Sequence, residues 1–262
     1  MMGGESEGAG TARGLFHGLY ALAGVRIAVT SQYESVHRLL RDYAAEGEAD
    51  FSVFTSQEDI AWEQEKSDRE AALEGVPAKS WDVTYLEELA VYRKIAEELP
   101  FYDAMLIHGS ALSVEGRAFL FCAKSGTGKS THTRLWRRVL KDRVQIINDD
   151  KPLLRIRGEG PALCYGTPYD GKHHLSNPIQ ADLEAIAFIE RSPVNKTLPI
   201  SPREAFPLLL QQVYHPGNQA AMAKTLCLLG RLSAHTRFYK VLCNQEEEAA
   251  LTACRAMGVN NG

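Results

Sequence analysis

No apolar run in the 262-residue chain is long enough to cross a membrane. The nearest candidate, "GLYALAGVRIAV", is interrupted by Arg26 and lacks a signal-peptide cleavage pattern, so neither membrane insertion nor export is expected. Cysteine is sparse and scattered. Cys122, Cys164, Cys227, Cys243 and Cys254 form no CxxC pair and no metal-like spacing. That excludes a disulfide framework and a zinc site, and it fits free thiols in a reducing, cytoplasmic setting. A basic excess is also missing. The net charge of −4 argues against a nucleic-acid partner. No internal repeat and no low-complexity run is present, so solenoid and fibrous architectures are excluded.

What is present suits a globular fold: 45% hydrophobic and 24% charged residues, in a length that allows one large domain or a medium one with a small companion. The opening "MMGGESEGAGTARG" is small and polar, and residues 1–13 are expected to be a disordered tail. Residues 14–78 read as a small α+β unit. It contains an alternating hairpin near residues 18–30, a helix in "SVHRLLRDYA", a short strand in "DFSVFTS" and a charged helix in "EDIAWEQEKSDREAA". "EGVPAKSWD" reads as a linker.

Residues 79–262 read as the main domain, opened by the helix "YLEELAVYRKIAEEL" before Pro100. "AMLIHGSALSVEGRAFLFCA" predicts two strands joined at Glu115-Gly116, followed by a loop and the helix "STHTRLWRRVL". "VQIINDD" is a short strand ending in two aspartates, and "PLLRIRGEGPALCYG" a second hairpin. "LEAIAFIER" is a buried strand, and Ser201 with Glu204 forms a capping box for the helix "SPREAFPLLLQQ". Another helix near Gln219–Ala234, the strand "RFYKVLCN" and a last helix stopped by Gly258 complete a mixed sheet flanked by helices, in the α/β (α+β) class.

The chemistry concentrates in "AKSGTGKSTHT". Its pattern is small-xxxx-Gly-Lys-Ser, set between an apolar strand and a helix, as a phosphate-binding loop requires. Ser125, Gly126, Thr127, Gly128, Lys129, Ser130 and Thr131 are the candidate nucleotide-binding residues. The glycines let backbone N–H groups turn toward phosphate oxygens, and the helix N-terminus adds partial positive charge. Lys129 can reach the β- and γ-phosphates, and the Ser130 hydroxyl can hold Mg²⁺. About twenty residues on, Asn148-Asp149-Asp150 ends a strand, so one aspartate can hold the metal and the other take a proton. His108, on the strand before the loop, is positioned to return toward it. The polar run "YGTPYDGKHHLSN" offers Asp170 and Lys172 toward a substrate or the phosphates. His173-His174 lacks a third ligand for zinc, and Arg134 on the helix can neutralise phosphate.

"HGSALSVEGRAFLFCAKSGTGKS" followed by "NDD" resembles the catalytic domain of HPr kinase/phosphorylase, a family that shares its nucleotide fold with phosphoenolpyruvate carboxykinase. "SGTGKSTHT", "NDDKPL" and "YGTPYDGKHHLS" are more similar still to small stand-alone HPr-kinase-like proteins of bacteria, often associated with modified-peptide biosynthesis. The resemblance covers residues 105–177 and extends weakly through "LLQQVYHP" and "VLCNQEEEAAL". It implies a P-loop kinase core that uses ATP and Mg²⁺ to phosphorylate a serine-type hydroxyl of a peptide, protein or small molecule. It assigns Lys129 to phosphate, Ser130 and Asp150 to the metal, Asp149 to the base, and His108 to a place beside that base. The chain departs from HPr kinase at Thr131, where that family has Glu, and it has no counterpart to the phosphorylase loop. Those departures speak against phosphorolysis and against HPr as acceptor. A nucleotide-binding adaptor and a carboxykinase-like enzyme are the alternatives, and a homo-oligomer is compatible with either.

Overall fold

The computed structural model describes residues 14–124, 126–171 and 174–260. The expected tail over residues 1–13 lies outside them, as do Ser125, Lys172 and His173.

The chain begins with an antiparallel hairpin, β1 (Phe16–Leu22) and β2 (Val25–Ser31), turning at Ala23-Gly24. Both turn residues have positive φ (51° and 70°), the conformation that matches the twist of a tight hairpin. After α1 (Ser35–Leu40), strand β3 (Phe51–Phe54) pairs parallel with β2 and completes a three-stranded sheet. Two helices follow, α2 (Gln57–Glu74), begun by a Ser56/Asp59 capping box, and α3 (Val83–Glu98), capped by Asp82. Helix α3 joins the small sheet to the rest. Val91, Tyr92 and Ile95 share one buried cluster with Ile27, Val29 and Val53 on one side and Leu106 and Leu153 on the other. The buried Glu87 carboxylate accepts from the N–H groups of Gln32 and Tyr33 (2.6 and 2.8 Å) and from the Thr55 hydroxyl (2.6 Å). A charge so buried is tolerated because each oxygen is hydrogen-bonded.

The large sheet contains β4 (Ala104–Leu106), β5 (Ser110–Val114), β6 (Arg117–Cys122), β7 (Val144–Asn148), β8 (Leu153–Arg155), β9 (Leu163–Tyr165), β10 (Gln180–Arg191), β11 (Lys196–Ile200) and β12 (Arg237–Cys243). Its order is β4-β8-β9-β10-β6-β5-β7, with β12 on the far half of β10 and β11 beyond it. Strand β10 is long enough to serve two neighbours on one edge. It pairs with β9 over Gln180–Asp182 and with β12 over Ala185–Arg191. Its other edge carries β6, parallel.

Strand β5 is antiparallel to both β6 and β7, so β6 and β7 run the same way. The end of β6, the end of β7, the end of β10 and the start of β5 therefore lie on one edge of the sheet. Both faces are covered. Phe119 and Phe121 of β6 pack under α4 (Lys129–Leu140) and α7 (Glu247–Met257), while Ala118, Leu120 and Cys122 pack under α5 (Pro202–Leu210) and α6 (Gln219–His235). This alternation follows from the two-residue period of a strand, and burial on both faces explains why β6 is apolar from Ala118 to Cys122.

Two details differ from the sequence reading. "AMLIHGSAL" is not one strand. The chain leaves β4, which pairs with β8, and re-enters the sheet as β5, so His108 lies in the break between them. Strand β11, which contains Pro199, had no anticipated counterpart; it pairs only with β12, where a missing N–H is tolerated at an edge.

Candidate active site

The loop after β6 leads directly into α4, whose N-cap is Gly128 at φ 123°. An L side chain there is strained, and no side chain caps the helix, so the first-turn N–H groups have no side-chain acceptor. Such a terminus is suited to an anion. Arg191, at the end of β10, braces the loop from behind. Its Nε donates to Thr127 O (3.1 Å) and its Nη2 to Gly126 O. Because a trans peptide is planar, the Gly128 N–H points away from the carbonyl that Arg191 holds.

Lys129 opens the helix and is only 8% exposed. Its Nζ donates to Ala123 O at 3.4 Å. Burial pulls its pKa below the usual 10.5, and the charges of Asp150, Cys122 and Asp149 oppose that shift without cancelling it. The ammonium is thus a partly desolvated cation held where incoming negative charge would be welcome.

Asn148 shapes the end of β7. Fully buried, it accepts from the N–H groups of Asp150 (2.8 Å) and Lys151 (2.6 Å) through Oδ1. Its Nδ2 donates to Thr167 O (2.9 Å) and Tyr169 O (3.3 Å). One amide therefore bends the two aspartates into their turn and docks the following loop, residues 167–171, against them. Asp149 turns inward, 5% exposed. Its Oδ1 accepts from the Ser110 hydroxyl at 2.5 Å, and Ser110 Oγ lies 3.1 Å from Thr133 Oγ1 on α4. Asp150 turns outward, its side chain 27% exposed, and its Oδ1 lies 3.2 Å from His108 Nε2. Burial pushes the Asp150 carboxyl up. The His108 hydrogen bond and the charges of Lys151 and Lys129 outweigh it and hold the carboxyl below its usual value.

These groups line one cavity of about 430 Å³: Gly126 and Gly128 of the loop; Lys129, Ser130 and Thr131 of α4; Asp149 and Asp150; His108; and Asp170 with Gly171. Asp170 is fixed from its own loop, accepting from Ser176 Oγ at 3.1 Å and lying 3.3 Å from His174 Nδ1. Arg134 is exposed on α4 and lines an adjoining cavity of about 260 Å³ that also reaches Asp149. Arg134 and Arg138, one helical turn apart, also line a further cavity together, and Arg138 pairs with Glu247 at 3.5 Å. The candidate residues Ser125 and Lys172 fall outside the described residues.

One pairing differs from what the resemblance implies. His108 lies beside Asp150, not Asp149. Both carboxylates line the cavity, but the first is anchored by Ser110 while the second is the one that meets His108. Three participants were not singled out in the sequence: Ser110, Arg191 and Gln212. The Gln212 amide, with its nitrogen toward the two carbonyls, donates to Ala123 O (3.2 Å) and His108 O (3.3 Å), tying the two halves of the site together. His132, two residues into "THT", is not a site residue. It is buried against Phe121, accepts from Trp136 Nε1 (3.1 Å), and burial pushes its pKa down to about 4.

Among the described residues, no group of three or more His, Cys, Asp or Glu side chains is placed to hold a metal ion. Mg²⁺ with a nucleotide needs less, one or two protein oxygens plus phosphates and water. The Ser130 hydroxyl and the Asp149 and Asp150 carboxylates that line the cavity are all hard oxygen donors of that kind. Likewise among the described residues, no helix is long and apolar enough to cross a membrane. Against known proteins, the chain matches no family model and has no significant match among the curated proteins.

Proposed function

We propose that the protein is an ATP- and Mg²⁺-dependent kinase of the HPr-kinase-like P-loop type, acting in the cytoplasm on a serine-type hydroxyl of a peptide, protein or small molecule. One observation carries this reading. A phosphate-type loop with its buried lysine, and a carboxylate pair in which one member alone contacts a histidine, face a single cavity. A loop that only bound phosphate would not need the second carboxylate or its histidine.

The loop and the α4 N-terminus hold the phosphates, and Lys129 offsets the charge that grows on the β- and γ-oxygens in the transition state. Asp150 is the base. It is open to the cavity, and the His108 N–H fixes which of its oxygens faces an incoming hydroxyl. The acceptor oxygen bonds to the γ-phosphorus, its proton passes to Asp150, and the bond to the bridging oxygen breaks. Asp149 and Ser130 are the metal-side groups, with Asp149 anchored by Ser110. When bound, Mg²⁺ would draw charge from the phosphate oxygens. This exchanges the two aspartate roles that the resemblance implies, on the ground of exposure and the His108 contact.

The test is a matched pair of variants assayed for phosphoryl transfer and ATP binding. Asp150→Asn lowers turnover with ATP affinity nearly unchanged, while Asp149→Asn raises the Mg²⁺ concentration needed for half-maximal activity. The reverse pattern restores the roles taken from the resemblance. ATP binding without transfer to any acceptor supports the adaptor instead.

A further inference from the structure

Beside the phosphate cavity a groove opens along α4, made of an inner cavity of about 260 Å³ and an outer one of about 540 Å³. We propose that this groove holds an acidic segment of a peptide acceptor and so delivers its hydroxyl to the phosphate cavity, an inference that rests on the kinase reading above.

Continuity is the first argument. Ser130, Thr131 and Asp149 line both the phosphate cavity and the inner part of the groove, where Arg134 and Arg137 join them. The same two arginines line the outer part with Arg138 and Lys141. Positions 130, 134, 137, 138 and 141 follow the three- and four-residue steps of one helix face, while Leu135, Trp136 and Leu140 pack into the core on the other. From Ser130 to Lys141 that face runs about 16 Å, at 1.5 Å per residue. An extended chain covers this distance with about five residues, so the length fits a peptide segment better than a small molecule.

Charge names the occupant. The chain carries a net −4, yet the groove is lined by three arginines and a lysine, against Asp142 in its outer part and Asp149 at its inner end. Among the described residues, neither Arg134 nor Arg137 has a carboxylate partner, whereas Arg138 meets Glu247 (3.5 Å) and Arg143 meets Glu115 (2.7 Å). The helix dipole favours cations in a last turn, which accounts for Arg137 and Arg138. It does not account for Arg134 in mid-helix, nor for a basic face that opens onto Asp149. Guanidinium forks match carboxylates in a bidentate way, so an acidic chain can use the two unpaired arginines in succession. Leu175 adds an apolar wall to the inner part, and its carbonyl accepts from the Asp149 N–H at 3.0 Å, which ties that wall to the site.

The experiment uses two short labelled peptides, each with a single serine, flanked in one by glutamates and in the other by glutamines. Their binding is measured beside that of ATP·Mg²⁺. The wild-type chain should bind the glutamate peptide about fivefold or more tightly, and the preference should shrink as added salt screens the charges. Arg137→Gln should narrow the preference and Arg137→Glu abolish it, with ATP binding retained. Arg41→Gln, an equal change of charge on the small N-terminal unit, should leave the preference intact. Equal wild-type affinities for the two peptides, with ATP bound, overturn the groove and leave the kinase reading standing. A preference that survives Arg137→Glu, or that falls as far in Arg41→Gln, overturns it too. So does an oligonucleotide of matched charge that displaces the glutamate peptide as readily as the unlabelled peptide does, since the face would then take any polyanion. Failure of the wild type to bind ATP removes the kinase reading, and the groove's role in delivering an acceptor with it.

Discussion

His108 Nε2 sits 3.2 Å from Asp150 Oδ1, while the neighbouring Asp149 is held by Ser110. Two carboxylates adjacent in sequence thus have different partners and different exposure, which is what a division between base and metal ligand requires.

The proposed kinase reading makes His108 a positioning residue that acts through Asp150. His108→Ala should lower kcat about tenfold or more with little change in the KM for ATP. A purely structural role would instead lower the melting temperature in step with activity. Measuring kcat, KM and thermal stability on one preparation separates the two.

The Asp150 carboxyl is held below its ordinary 3.8, so it contributes stability that is present above that value and lost as pH falls through the lower folded one. As the proposed base, Asp150 stays ionised throughout the neutral range, and no acid limb from it should appear in kcat above about pH 5.

Lys129 has the opposite sign. Burial lowers its pKa, so its charge costs stability at pH values below the folded pKa, and the cost is relieved as pH rises toward the unfolded value of 10.5. Lys129→Met should abolish transfer and yet raise the melting temperature of the unliganded protein by roughly 2–4 °C, the shift that about 1 kcal/mol produces in a chain of this size. Thermal melts at pH 7 without nucleotide test this. A melting temperature below wild type would mean that the ammonium is a net stabilising group.

Asn148 and Gly166 hold the site without doing chemistry. Asn148→Asp would set a carboxylate against the carbonyls of Thr167 and Tyr169, which now accept from the amide, and should cost about 2–4 kcal/mol. A Cβ at Gly166 would stand 1.9 Å from Asn177 O and 2.7 Å from Ile147 O, both backbone atoms. Gly166→Ala should therefore destabilise by at least about 2 kcal/mol and displace Asp170 from the cavity. Denaturant unfolding of both variants measures the loss; values within about 0.5 kcal/mol of wild type would contradict these contacts.

The parts of the site that were legible in the sequence are the contiguous ones. The loop, its helix and the Asn148-Asp149-Asp150 turn each form from neighbours in the chain, and each was recognisable from local pattern. Pairing across the sheet was not legible. Ser110 reaches Asp149 only because β5 lies between β6 and β7, and Arg191 meets the loop from more than sixty residues away. The strand break at His108 was hidden because apolar residues continue on both sides, and only β4 pairing with β8 separates them. The shared core between the small sheet and α3 was equally invisible, since periodicity shows that a face is buried but not against what.

The central claim is phosphoryl transfer at the cavity that Lys129, Asp149 and Asp150 share. Its most direct test incubates the protein with γ-labelled ATP, Mg²⁺ and an unfractionated lysate of the source cells as acceptor. The expected result is label in an acid-stable, alkali-labile ester on a hydroxyl, formed by the wild type and lost in both Lys129→Ala and Asp150→Asn. Transfer that persists in Lys129→Ala, or labelled inorganic phosphate as the sole product of the wild type, would contradict it.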